Sequence, residues 1–246
     1  MKKILLICSI VFMGFMLNSC LDSEDQNITG SKQFSYITSD NLGNVYARST
    51  SGYVALPITF KEIIMLEQGR CYLLSYTWIS EYGMTQLSDG FQVYNVVLTA
   101  NPEPVPSAML HLSDAPQGSG VPFYRFSAPF YSSDEYFGDF WLFSYQWKKK
   151  KGEEANVEFY KSSETTDTSS EILIDVRLNK IGTPTETTET IKDELIAVNL
   201  HPLRNLLQTP GGMRAKEVPI RFRYYIEGKS EPTISSDPYY MIIYTD

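Results

Sequence analysis

Phe140-Trp141-Leu142-Phe143-Ser144-Tyr145-Gln146-Trp147 is the stretch on which the fold reading turns. Read as a strand, with side chains alternating between two faces, it puts Trp141, Phe143, Tyr145 and Trp147 on one side. Phe140 and Leu142 fall on the other. Downstream, Lys148 to Lys151 and then Gly152-Glu153-Glu154 make a charged turn, and Asn156 to Tyr160 returns as the next strand. Lys161 to Thr168 is a polar loop. Ile172, Ile174, Val176 and Leu178 then alternate with Leu173, Asp175 and Arg177, the pattern of a half-buried strand. Gly182 to Thr190 reads as a Thr- and Glu-rich loop, Leu195 to Leu200 as a strand, and His201 to Leu207 as a single helical turn with Pro202 near its start. Gly211-Gly212 breaks it. Val218, Ile220, Phe222 and Tyr224 alternate with Arg221 and Arg223, and Tyr239 to Tyr244 closes the chain. Six or more strands separated by turn signals point to an immunoglobulin-like β-sandwich over 107–246, without the cysteine pair of an antibody domain.

The first half repeats the theme on a smaller scale. Arg70 to Ile79 is a long strand with Tyr72, Leu74, Tyr76 and Trp78 on one face and Cys71, Leu73, Ser75 and Thr77 on the other. Around it lie Phe34 to Ile37, a hairpin of Val45–Ser49 and Tyr53–Leu56 across Ser51-Gly52, Lys61 to Leu66, and Phe91 to Leu98. Five or six strands in about seventy residues suit a small OB-like barrel over 34–100. Asn101-Pro102-Glu103-Pro104-Val105-Pro106 stiffens the chain and removes sheet donors, so 101–106 is expected to be a linker. No stretch longer than a turn or two carries a helical apolar period, and the fold class is all-β.

The amino terminus speaks about location. Lys2 and Lys3 precede an apolar run from Ile4 to Leu17, followed by Asn18, Ser19 and Cys20. A basic start, a short apolar core and a small residue before the cut mark a secretory signal over 1–19. The run is shorter than the roughly 20 apolar residues of a membrane span. Leu17-Asn18-Ser19-Cys20 resembles the lipobox of bacterial lipoproteins. The resemblance implies cleavage before Cys20 and acylation of that cysteine, with two or more chains giving a stable anchor. Leu21 to Asp25 is acidic and resembles the surface-export signal that Bacteroidetes lipoproteins carry there. The expected place is the outer membrane, facing outward, with 20–33 as an acidic and polar tether.

Charge and cysteine use narrow the partners. The chain has 21 Lys and Arg against 29 Asp and Glu, and removing Lys2 and Lys3 leaves 19 basic residues. That balance argues against nucleic acid and against adhesion to anionic lipid headgroups. Cys8 leaves with the signal and Cys20 is consumed by lipid, so Cys71 is left without an intrachain partner. A buried, inert thiol is the expectation there.

Several of these stretches resemble the NigD-like lipoproteins of Bacteroidetes. They are the lipobox with its acidic follower, Gly69 to Thr77, Val93-Tyr94-Asn95-Val96, and Leu195 to Leu200 with the short turn after it. The resemblance covers most of the mature chain and implies an OB-like barrel followed by a β-sandwich. It implies no catalytic activity and supplies no active site.

Chemistry is sparse. His111 and His201 are far apart, without His or Cys at ligand spacing, so no metal and no cofactor is expected, and each histidine reads as a loop residue. Neither a phosphate loop nor a nucleophile elbow occurs. Asp134 or Glu135 with Asp139 is the pair a glycosidase would use, and a solvated turn is the simpler reading, so the chain is not expected to be an enzyme. The aromatic loop supplies Tyr131, Tyr136 and Phe137 as exposed candidates for ligand binding, since aromatic faces stack on sugar rings and anchor interfaces. The expected function is a non-catalytic, lipid-anchored surface module for binding or assembly. The alternatives are a glycan-binding accessory of a nutrient-uptake system and a fimbrial or adhesin subunit.

Overall fold

The computed structural model describes residues 27–52, 54–57, 65–118, 120–164 and 171–246. The expected signal over 1–19, Cys20 and the acidic run lie outside them, as do Tyr53 of the expected hairpin, 61–64 of the strand expected over Lys61 to Leu66, and 165–168 of the polar loop.

The first half builds seven strands: β1 (Ile28–Ser39), β2 (Val45–Ser49), β3 (Val54–Pro57), β4 (Cys71–Trp78), β5 (Met84–Gln86), β6 (Gln92–Leu98) and β7 (Glu103–Pro104). Five of them close on themselves. β1 pairs with β2, β2 with β3, β3 in parallel with β6, β6 with β4, and β4 back with β1. Closure leaves those strands no free edge. β5 and β7 extend the sheet from β6 and β4. The barrel is filled by the face read from the sequence: Tyr72, Leu74, Tyr76 and Trp78 pack with Ile37, Ala47, Ala55 and Val96. A register shift between Gly30 and Gln33 bends β1 around this core. Gly30 is required there, because a Cβ would sit 2.6 Å from the Tyr76 ring.

The second half contributes β8 (Ser107–His111), β9 (Arg125–Phe126), β10 (Phe140–Lys150), β11 (Glu154–Lys161), β12 (Ile172–Ile181), β13 (Glu189–Asn199), α1 (His201–Leu207), β14 (Arg214–Tyr224), β15 (Thr233–Ile234) and β16 (Tyr239–Thr245). Its nine strands form one curled sheet in the order β15-β14-β12-β11-β8-β13-β10-β9, with β16 on β14. One continuous curled sheet of this kind does not confirm the expected immunoglobulin-like β-sandwich. β8 turns the corner between the halves: Ser107 to Met109 pair in parallel with β13, and Leu110 and His111 pair in parallel with β11. Trp141, Phe143, Tyr145 and Trp147 of β10 point into the hollow, against Phe159, Val176, Phe222 and Met241. The Phe143 and Phe222 rings meet edge to face at 4.9 Å. Each such ring contributes about 1.5–3 kcal/mol by leaving water.

The other faces of β4 and β10 meet each other. Phe34 and Cys71 from the barrel pack with Phe137, Phe140, Val105 and Ala197, flanked by Tyr36, Leu73 and Leu142. Phe34 lies 5.4 Å from Phe137, and Tyr36 lies 5.8 Å from Phe140. Burial in this seam pushes the Cys71 thiol far above its ordinary pKa, leaving it protonated and inert. The segment expected to be a Pro-rich linker, 101–106, bonds to both units. Glu103 and Pro104 pair with β4, the Val105 amide donates to the Cys71 carbonyl, and the Ala197 amide donates to the Pro106 carbonyl. Residues 28–33 of the expected tether lie in β1. The helix runs two turns rather than one, and β13 begins at Glu189, inside the expected loop.

Candidate functional site

The docking of the two units leaves a cleft of about 480 Å³ beside their apolar seam. Its sheet-side wall begins with a tight turn before β10. Asp134 Oδ1 accepts hydrogen bonds from the Ser132 hydroxyl at 2.6 Å and the Tyr136 amide at 2.9 Å. Gly138 and Asp139 then both take positive φ, 60° and 63°. Glycine is required at 138, because a Cβ would stand 2.3 Å from Cζ of Tyr36. The short Asp side chain tolerates the second such position.

This turn drives Asp139 inward, where it is 2% exposed, and α1 brings Arg204, also 2% exposed, to meet it. Arg204 Nε lies 2.9 Å from both Asp139 carboxylate oxygens, and Nη2 lies 2.8 Å from Oδ1. That Nη2 contact is a charge contact, outside hydrogen-bond geometry. Arg204 Nη1 donates to the Ile242 carbonyl of β16, and Glu135 approaches Nε at 3.3 Å. His201 Nδ1 sits 3.2 Å from Asp139 Oδ2. One buried guanidinium thus ties the turn, the helix and the last strand together.

The barrel supplies the facing wall through Arg48 of β2. Its guanidinium lies 5.9 Å from the Tyr46 ring and 5.7 Å from the Tyr136 ring, bridging the units by cation–π contact. Arg48 Nη1 makes long hydrogen bonds to the carbonyls of Glu135 and Tyr136, at 3.4 and 3.3 Å. Burial raises the Tyr136 phenol, and nearby Arg48 opposes that shift only in part. Asp40 ties the β1–β2 turn to the β5–β6 loop: its carboxylate accepts from the amides of Leu42, Asn44 and Ser88. The same loop presents Asp89 and Phe91, and β16 presents Tyr244 on the opposite wall. Phe91 is 67% exposed and Tyr244 46%. Gln208, just past α1, also lines the cleft, and its Oε1 is buried with no hydrogen-bond partner.

Of the residues singled out in the sequence, Tyr136 lines this cleft, as do Asp134 and Glu135. Phe137 is not exposed: it is 4% accessible and belongs to the seam between the units. Tyr131 is half-buried, its ring tilted 4.1 Å from that of Trp141, with its hydroxyl accepting from the Tyr240 amide. Asp139 is no partner for a free catalytic acid, because Arg204 and His201 already occupy its oxygens. Neither histidine is a loop residue. His111 ends β8 and stacks on Tyr160 at 4.8 Å, and His201 opens α1. Among the described residues no three His, Cys, Asp or Glu side chains gather to hold a metal ion, and no helix is long and apolar enough to cross a membrane. Arg48, Phe91, Arg204, Gln208 and Tyr244 escaped the sequence reading, because nothing local marks them and only the docking of the units assembles them.

No family model matches the chain, and no curated protein sequence does. Its fold is similar to those of solved structures. An uncharacterised protein from Parabacteroides merdae aligns with a TM-score of 0.56 at 13% identity, covering 86% of this chain and 97% of that one. A protein of unknown function from Bacteroides vulgatus gives 0.53 at 12%, covering 90% and 92%. A NigD-like immunity protein from Bacteroides caccae gives 0.51 at 9%, covering 92% and 100%. At such identities the likeness is one of fold.

Proposed function

We propose that the chain is a non-catalytic, lipid-anchored protein of the outer-membrane surface that uses the cleft between its two β units as a binding surface. The observation that carries this reading is the cleft itself. Residues from both units enclose it, a buried Arg204–Asp139 pair fixes one wall, and exposed rings stand at its mouth. Small-molecule sites have this character: concave, with apolar and aromatic walls and a few placed polar groups. The carboxylates that would serve hydrolysis hold the wall instead. Asp139 binds Arg204, and Asp134 caps its own turn.

The anchor is supported by the signal over 1–19 and by Leu17 to Cys20. Only residues 21–27 separate Cys20 from β1, a reach of at most about 25 Å. An acylated Cys20 therefore holds the barrel close to the membrane. The same reading takes the chain as a NigD-like lipoprotein with an OB-like barrel. Support comes from the five-strand order β1-β2-β3-β6-β4, with β3 and β6 parallel, and from the fold shared with the Bacteroides caccae protein. A role as a strand-exchanging assembly subunit is less well supported, because the outer edge of β16 is occupied. The Ile242 amide donates to Ser133, the Ile242 carbonyl accepts from Arg204, and the Tyr244 carbonyl accepts from Thr209.

Protease shaving of intact cells, with Cys20→Ala beside the parent chain, tests the anchor and its orientation. The parent is expected to be cleaved on whole cells and to stay with the membrane, while Cys20→Ala is released. Protection of the parent until the outer membrane is opened would turn the cleft toward the periplasm.

A further inference from the structure

We infer that the cleft binds a neutral, hydroxyl-rich ligand, a saccharide, held between Phe91 and Tyr244 and hydrogen-bonded to the polar groups behind them. This rests on the reading of the cleft as a binding surface and adds the chemical class of what it holds. Three observations converge. The polar lining mixes donors and acceptors, with Arg48 and Arg204 facing Asp89, Glu135 and Gln208. A hydroxyl both donates and accepts, so a polyol satisfies such a lining as a simple anion or cation does not. Second, both guanidiniums are already engaged. Arg204 faces Asp139 and Glu135, Arg48 faces two carbonyls and two aromatic rings, and Asp89, Asp134 and Glu135 share the lining with them, so the cleft offers a phosphate no excess of positive charge. Third, Phe91 and Tyr244 keep their rings 67% and 46% exposed at the mouth, a cost in water that the apolar C–H face of a sugar ring relieves. The volume, about 480 Å³, lies within the range of small-molecule sites.

The test is isothermal titration calorimetry of the full chain with neutral gluco-, galacto-, manno- and xylo-hexasaccharides, and separately with hexalysine. At least one hexasaccharide is expected to bind, with an affinity insensitive to salt. Phe91→Ala and Tyr244→Ala should each weaken it by about 3- to 10-fold. Both rings are exposed, so both variants should keep the parent's circular dichroism spectrum and thermal midpoint. Salt-sensitive binding of hexalysine with no hexasaccharide bound would overturn the saccharide while leaving the cleft a binding surface. Hexasaccharide binding that survives the double variant would place the sugar site elsewhere. No binding of either probe would overturn both the saccharide and the cleft.

Discussion

Asp139 and Arg204 carry more of the architecture than their spacing in the chain signals. A buried ion pair is a weak net source of stability when intact, but removing one partner strands the other charge away from water. Arg204→Met is therefore expected to destabilise the protein by about 3–5 kcal/mol in urea unfolding. A loss below about 1 kcal/mol would mean that Asp139 finds another partner or takes up a proton at little cost. Asp40 behaves differently. Desolvation pushes its carboxyl upward, but hydrogen bonds from the Asn44 side chain and the amides of Asn44, Ser88 and Leu42 outweigh it, and the pKa falls below its ordinary 3.8. A depressed carboxyl contributes stability that is present above the unfolded pKa and lost as pH falls through the folded one. Carbon-detected titration of Asp40 should show a midpoint under 3.8, with the Ser88 amide following the same curve, and a midpoint above that value would contradict the network. At this scale the sequence was partly legible. Cys71 in an apolar strand reads as a buried thiol, and it is one. Phe137 in a polar-flanked loop reads as exposed and is not, because the surface that covers it comes from Phe34, about a hundred residues earlier.

Strands β4 and β10 show what alternation reveals and what it leaves open. Both faces of each were readable: Tyr72 to Trp78 and Trp141 to Trp147 fill their own cores, as period two requires. Cys71 and Leu73, like Phe140 and Leu142, are apolar on the opposite face, which states that something covers them without naming it. The answer, that these second faces cover each other, depends on docking between units and has no periodic signature. The same limit explains the second sheet. Strand count and turn signals fit a sandwich, but the parallel pairing of β8 with both β11 and β13, which makes the sheet continuous, is long-range. Phe137→Ala removes a ring shared by Phe34, Phe130 and Tyr136. It should cost about 3–5 kcal/mol. It should also split calorimetric unfolding into two transitions as the seam loosens, and a single transition shifted by less than a degree would show that the seam contributes little.

For the molecule as a whole, the seam and the cleft are one feature seen from two sides. The apolar contact holds barrel and curled sheet together, and the margin of that contact opens into the cleft. Sequence could supply Tyr136, Asp134 and Glu135, which lie together on one loop, but not Arg48 and Tyr244, which stand near opposite ends of the described residues. The most direct test is two-dimensional NMR of the labelled protein titrated with the neutral hexasaccharides. Perturbed resonances should cluster on Arg48, Phe91, Tyr136 and Arg204, drawing from both units at once. Perturbations confined to one unit, or gathered at the separate recess around Asp114, Arg177 and Arg223, would contradict the assignment of the cleft as the binding surface.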